Sequence, residues 1–362
     1  MGNEKNLQPF RPAWVISLGE KMAIEIIGTG RAVPSNRVCN KQLAAQIDTS
    51  DEWIRSHTGI GARHIAGEEI AVSDLSLEAA LKAAKLASET SELCKGESPE
   101  EVAASLDVIL IGTSTADFYG TPSTACIVQD KLGAKRAAAM DVNAACTGYI
   151  YALETAAALL SISPDRKRAL VIGADILTKY TDWSDRGTCV LFGDGAGATI
   201  LQKTASAEKT GIFRSYLAAD GSGAGHLYFS RGGSRFPYKK GETIDEPSYI
   251  KMDGKAVYNF AVKALSSTIE RLIADEKITI DDIALIIPHQ ANARIVQAAA
   301  KRLKIPEEKF FLNIEEYANT SAASIPIAFD ELNRSGRLKK GDLLLSVGFG
   351  GGLTFGGNLI RW

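Results

Sequence analysis

The chain has 362 residues, 45% of them apolar and 23% charged, enough to bury a large core as one big domain or two fused halves. Its 41 basic and 43 acidic side chains leave a net charge of −2 and no global field for nucleic acid or anionic lipid, so an anionic partner must meet a local patch. Five scattered cysteines (Cys39, Cys94, Cys126, Cys146, Cys189), no C-x-x-C pair and only four histidines argue against a disulfide framework or a zinc site.

Residues 1–21 lack a continuous apolar core and no later run is long enough to span a bilayer, so a soluble, reduced, cytoplasmic protein is expected. Met22 opens directly into a strand pattern, which makes residues 1–21 either a flexible leader or an upstream start. Glycine-bounded β-rich runs, IEIIGTG (24–30), DVILIGTS (107–114) and RALVIGAD (168–175), alternate with alanine-rich segments of helical period, the pattern of an α/β fold. The first predicted helix, near Val72 to Ala87, carries Val72, Leu75, Ala79, Ala83 and Leu86 on one face. The next, Thr147 to Ile162, is apolar nearly all round, as a helix buried between two layers must be. A third, near Ala256 to Ala274, turns Val257, Phe260, Ala264 and Ile273 inward. Segments 88–106 and 231–248 read as loops. The glycine-rich end from Ser346 reads as two closely packed strands joined by a turn, because no Lys-Ser/Thr pair follows the glycines as a phosphate loop requires.

The chain also repeats weakly. Asp107 and Asp282 each lead a buried strand, then a helix, a short strand, a small-residue segment and a second strand. Cys146 lies 146 − 107 = 39 residues after the first aspartate and Asn319 lies 319 − 282 = 37 after the second. A duplicated unit with halves at 22–202 and 203–362 is the expectation, with Cys146 and Asn319 at equivalent, facing positions.

Cys146, in DVNAACTGYIYAL, falls where a buried strand ends and a buried helix begins. The helix dipole there favours the thiolate, and small neighbours leave room for a substrate. By itself such a cysteine is also what an apolar core position holds. His289 follows a hydrophobic strand, where side chains of open α/β folds face a crevice; local hydrogen bonding at a helix start is the plainer alternative. Asn319 precedes another small-residue segment and could serve only as a helix cap. Together they supply a nucleophile and two hydrogen-bond donors, the set that acyl transfer to sulfur needs. The glycine turn at 348–352 offers backbone amides for an oxyanion.

The motifs DTSDEWI (48–54), TGI (58–60), DVNAACTG (141–148), DRGT (185–188), FGDGAGA (192–198), PHQAN (288–292), NTSAAS (319–324) and GFGGG (348–352) form an ordered set. On that set, residues 22–362 resemble the 3-oxoacyl-[acyl-carrier-protein] synthase III family of the thiolase superfamily. The resemblance implies an α/β thiolase-like fold of duplicated α-β-α-β-α layered halves, a homodimer, and no metal or redox cofactor. It implies a Cys146-His289-Asn319 triad, with the amides of Cys146 and Gly351 as oxyanion hole. An acyl-CoA primer would acylate Cys146. Malonyl-acyl carrier protein would then lose CO2 and condense with the acyl group. Thr49, Trp53, Arg186, Gly254, Tyr258, Ala261 and Asn292 would bind coenzyme A, Phe192 and Thr121 would border the acyl pocket, and Arg294, Lys301 and Arg302 would meet the acidic carrier protein.

The chain departs from the family at His57, where many relatives have arginine, at Lys255 in place of an asparagine, and at Ala318 in place of a glycine. Thr121 stands where some relatives have a phenylalanine that shortens the pocket, so a primer longer than acetyl is expected to fit. A relative in secondary metabolism with a different acyl acceptor, a Cys-His-Asn hydrolase and a catalytically silent carrier-protein scaffold are the alternatives.

Overall fold

The glycine-bounded apolar runs become the strands of one mixed sheet in the computed structural model, which describes residues 22–206, 209–243 and 247–362; the leader 1–21 lies outside them. In chain order the strands are β1 (Met22–Ala32), β2 (Val108–Gly112), β3 (Ala138–Val142), β4 (Arg168–Ile176), β5 (Asp194–Ala205), β6 (Gly211–Ala219), β7 (Leu285–Pro288), β8 (Leu343–Gly350) and β9 (Thr354–Arg361). They stand side by side as β7-β8-β9-β6-β1-β5-β4-β2-β3. Every residue of β2 and of β4 is buried, as expected of strands covered on both faces by helices.

The same pairing occurs twice. In the first half, β2 is parallel to β3 and β4, β4 is antiparallel to β5, and β5 is antiparallel to β1. In the second half, β7 is parallel to β8 and to a bridge at Phe310, β8 is antiparallel to β9, and β9 is antiparallel to β6. The halves meet where β1 and β6 run parallel at Ile24 and Gly211. The first half ends with β5 at Ala205, so the boundary read at 202/203 falls inside that strand. We propose a duplicated unit whose halves join between β5 and β6.

Six helices place the site: α1 (Asp51–Thr58), α2 (Val72–Thr90), α3 (Gly148–Ser161), α4 (Gly254–Glu276), α5 (Ala293–Leu303) and α6 (Ser324–Arg334). Helix α3 occupies the predicted buried position: Tyr149, Ile150, Leu153, Ala156 and Leu160 share one apolar cluster with Ala328, Phe329 and Leu332 of α6 and with strands of both halves. The stretch 88–106 is not all loop. It holds a 3-10 turn at Glu92–Cys94 and a helix at Pro99–Ala104, closed by reciprocal Ser98 and Glu101 capping bonds. Its polar composition hides a capping box with proline at the first turn.

The repeat register differs from the spacing argument. Cys146 sits in the 3-10 turn Ala145–Thr147 ahead of α3, and its counterpart ahead of α6 is the turn Ser321–Ala323. Ala145 and Ser321, the first residues of these turns, both have positive φ, +47° and +52°. Asn143 Oδ1 accepts from the Ala145 amide at 3.4 Å, and Asn319 Oδ1 accepts from the Ser321 amide at 2.9 Å. Asn319 is therefore equivalent to Asn143, and Cys146 to Ala322.

The second turn lies against β4 because residue 173 is glycine: a Cβ there would stand 2.1 Å from the Ala322 carbonyl oxygen. Gly173→Ala is expected to cost about 1–3 kcal/mol, read by urea unfolding, because backbone rather than a flexible side chain must yield.

Candidate active site

Cys146 is fixed by its turn, by the Thr147 hydroxyl on the Ala144 carbonyl at 2.7 Å, and by the glycine loop between β8 and β9. A Cβ on Gly350 would lie 2.7 Å from the Cys146 nitrogen, so glycine lets that loop reach the Cys146 backbone. The amides of Cys146 and Gly351 donate to no other group among the described residues, and Gly351 lines the same cavity as Cys146. The Ser321 hydroxyl approaches the Cys146 sulfur at 3.4 Å. The dipole of α3 favours a thiolate, but burial is the larger effect. It pushes the Cys146 thiol up to about 12, opposed by the Ser321 hydrogen bond and reinforced by the Asp175 carboxylate. At neutral pH the residue is a thiol.

Asn319 is joined to the strand-like segment beside it: its amide donates to Leu191 O and its carbonyl accepts from the Gly193 amide, both at 3.0 Å. Because its side-chain oxygen is taken by the Ser321 amide, its Nδ2 group is the part left to donate. Ala318 before it is held at φ +56°, where a glycine is free of strain and alanine is not. His289 follows β7, and Gln290 clamps the turn through Pro288 O, Phe311 O and the Asn313 amide. His289 Nδ1 lies 2.8 Å from Ser324 Oγ, which also accepts from the Gln290 amide. With the serine proton directed at Nδ1, the imidazole proton sits on Nε2, a buried atom with no partner among the described residues.

Burial drives the His289 pKa down to about 3, so the imidazole is neutral. In the unfolded chain it takes a proton below its ordinary value of 6.5, whereas in the fold it does not until near 3. The unfolded state thus binds more protons in that window, and the stability tied to this residue falls as pH drops below about 6.5. His289→Asn is expected to remove about 2 kcal/mol of the fall between pH 6.5 and 5, measured by urea unfolding at each pH.

Two cavities meet at Cys146. One, of about 250 Å³, is lined by Trp53, His57, Gly254, Tyr258, His289, Asn292, Asn319 and Phe349. The other, of about 450 Å³, is lined by Ala144, Leu177, Phe229, Ile250 and Gly351 among others. Cys146, Phe192 and Leu227 border both. Trp53 projects from α1, whose N-cap Ser50 accepts from the Trp53 amide. Its ring stacks on His57 at 4.4 Å and lies under the Arg186 guanidinium at 4.5 Å. Asn292 caps α5 and donates to His57 O at 3.1 Å, tying the two walls together.

Three expected residues are placed elsewhere. Ala261 is fully buried in the apolar cluster of α4, because it follows the inward face of that helix. Thr49 borders neither cavity, although its hydroxyl is buried without a partner. Thr121 is exposed in the loop before helix Thr124–Lys131 and lines no cavity of its own chain among those described. Arg294, Lys301 and Arg302 are exposed on α5 and pair with no carboxylate among the described residues.

The family 3-oxoacyl-[acyl-carrier-protein (ACP)] synthase III matches residues 140–221, and its C-terminal part matches residues 273–362. The beta-ketoacyl-[acyl-carrier-protein] synthase III of Syntrophomonas wolfei is 47% identical over 342 residues, 94% of this chain and 98% of that one. This chain belongs to that synthase III family. The enzyme of the same description from Clostridium acetobutylicum is 46% identical over 340 residues, 94% of this chain and 99% of its own. The crystal structure of the synthase III from Aquifex aeolicus superposes with a TM-score of 0.81 at 40% identity, covering 94% of this chain and 100% of that one. The fold is accordingly the thiolase-like fold of synthase III enzymes.

Side chains around Cys146, His289 and Asn319 to which the sequence assigned no role are Ser321, Ser324, Gln290 and Asp175. Each acts through a contact distant in sequence. The signals that mark three of them are that Ser321 and Ser324 share the NTSAAS run with Asn319 and that Gln290 shares PHQAN with His289.

Proposed function

We propose that this protein is the initiating condensing enzyme of type II fatty-acid synthesis, using Cys146, His289 and Asn319. The observation that carries the reading is the meeting of two cavities at one thiol, with the His289 Nε2–H and the Asn319 amide group as unengaged donors on the side of the narrower one. The Cys146 sulfur attacks the thioester of an acyl-CoA, the oxyanion rests on the amides of Cys146 and Gly351, and coenzyme A departs. The acyl chain then lies in the wider apolar cavity past Phe192. Malonyl-acyl carrier protein enters next; His289 and Asn319 donate to its thioester oxygen as CO2 leaves, and the resulting carbon nucleophile attacks the acyl-enzyme. These steps consume only the two thioesters.

Coenzyme A is assigned to the wall formed by Trp53, Arg186, Gly254, Tyr258 and Asn292, with Thr49 nearby, and the carrier protein to Arg294, Lys301 and Arg302 on α5. We assign a homodimer through β3, a reading supported by that strand's place at the sheet edge and by the exposure of Ala138 and Met140 on it and of Phe118 and Tyr119. Thr121 would then act across the interface. No helix among the described residues is long and apolar enough to cross a membrane, and we assign the enzyme to the cytoplasm.

Intact-protein mass spectrometry with a panel of acyl-CoAs, followed by malonyl-acyl carrier protein, tests the reading: one acyl adduct is expected, discharged as 3-oxoacyl-carrier protein. An adduct released only as free acid would instead indicate a hydrolase. Trp53→Ala is expected to raise the KM for acyl-CoA about tenfold with kcat little changed, since stacking on one base contributes about 1–3 kcal/mol.

A further inference from the structure

The two 3-10 turns that meet across the repeat carry different side chains at equivalent places. Ala145 and Ser321 open them at positive φ, and Cys146 and Ala322 follow. The pair equivalent to Ser321 and Cys146 is therefore Ala145 and Ala322, so the turn forms without a hydroxyl or a thiol. Serine and cysteine stand together on one side of the repeat, and there they touch: the Ser321 hydroxyl donates to the Cys146 sulfur at 3.4 Å.

Ser321 is 1% exposed and lines the wider cavity beside Cys146. Its turn is held on both sides, because the Ser321 amide donates to Asn319 Oδ1 at 2.9 Å and the Ala322 amide to Asp175 Oδ2 at 3.3 Å. A hydroxyl fixed in this way is a standing donor at the reacting atom. The titratable groups facing the sulfur among the described residues are Asp175 on β4, whose charge opposes a thiolate, and His289 after β7, which burial keeps neutral.

Negative charge reaches that sulfur twice in the reaction. In acylation the S–H bond breaks, its proton passes to solvent, and sulfur bonds the thioester carbon; coenzyme A leaves as a thiolate and takes a proton from solvent. In condensation the charge of the malonyl carboxylate passes to the enolate as CO2 leaves, then to the acyl oxygen as the carbon–carbon bond forms. When that tetrahedral species collapses, the carbon–sulfur bond to Cys146 breaks and its electron pair stays on sulfur, which takes a proton from solvent. Over both halves one proton is consumed, and CO2 and one coenzyme A thiol are released. His289 and Asn319 serve the malonyl oxygen and the Cys146 and Gly351 amides serve the acyl oxygen, which leaves the sulfur itself to another donor. We propose that Ser321 is a catalytic residue of both half-reactions, its hydroxyl donating to the Cys146 sulfur as charge develops there on attack and again on release of the 3-oxoacyl product.

This role rests on the acylation proposed above, and one arm of the test needs no acyl-CoA. Alkylation of Cys146 by iodoacetamide from pH 7 to 10, single-turnover acylation by acyl-CoA, and release of labelled CO2 from malonyl-acyl carrier protein by the acylated enzyme are measured in wild type, Ser321→Ala and Ser321→Gly. Both variants should alkylate and acylate about tenfold more slowly at pH 8, the low end for loss of a hydrogen bond to a charged group, with the alkylation profile displaced to higher pH. CO2 release should stay within about threefold of wild type, because the backbone bond from residue 321 to Asn319 needs no side chain. A loosened turn would instead lower all three rates together, and glycine, which takes positive φ without strain, would restore them. Alkylation and acylation within twofold of wild type in Ser321→Gly overturn the role, and so does an equal loss of all three rates in both variants. If Ser321→Ala does not fold, Ser321→Gly decides by the same criteria. Absence of any adduct in wild type overturns the acylation reading, and the alkylation profiles then still decide whether Ser321 acts on the sulfur.

Discussion

Cys146→Ala is expected to lose the acyl adduct entirely and to lower condensation by at least about 10⁴-fold, the scale on which removing a nucleophile acts. The argument is positional. Cys146 is the cysteine that lines both cavities, whereas Cys94 and Cys189 are buried in apolar clusters and Cys39 and Cys126 lie away from the site. No second thiol can substitute, so mass spectrometry should find no adduct of acyl mass from any acyl-CoA. The neighbouring loop refines the test. Gly350→Ala places a methyl group 2.7 Å from the Cys146 nitrogen and must push the amides of the oxyanion hole apart. It should keep the thiol reactive to iodoacetamide while slowing acylation by about 10²–10³-fold, the loss measured when one oxyanion donor is removed. A normal acylation rate in Gly350→Ala would place the oxyanion elsewhere.

The residues legible in the sequence are those whose neighbours carry a pattern. His289 follows the apolar strand β7, Cys146 lies between β3 and the apolar helix α3, and Asn319 opens a run of small residues, so each position is marked by the pattern of its neighbours. The supporting contacts are silent in the sequence because they join distant segments: Asp175 to residues 113–115 and to Ala322, Ser324 to His289, Arg186 to Trp53. The repeat was legible as an order of elements, but its register was not, since a shift of a few residues in a turn leaves the spacing almost unchanged. Only the paired asparagine-capped turns, with positive φ at Ala145 and Ser321, align the halves. Ala261 shows the converse limit. The family resemblance puts it beside coenzyme A, while the 3.6-residue period of α4 turns it into the core. His57 lies against Trp53 at 4.4 Å, so a departure from the family pattern still contributes a planar ring to the same wall.

His289→Ala is expected to separate the two half-reactions. The variant should accept the acyl group from CoA at close to the wild-type rate, because the proposed oxyanion amides do not involve the imidazole. Decarboxylation of malonyl-acyl carrier protein should fall by about 10²–10³-fold, since the enolate oxygen loses one of its two donors in a water-poor site. Asn319→Ala should behave alike. Asn319→Asp should be worse than either, because a carboxylate presents charge to a developing anion where the amide presents hydrogen. The pH dependence adds an independent check. With a His289 pKa near 3, decarboxylation should show no acidic limb from imidazole protonation between pH 5 and 8. A limb near pH 6.5 that disappears in His289→Asn would mean that the imidazole titrates freely, and the donor would then be the imidazolium cation rather than the neutral ring held by Ser324.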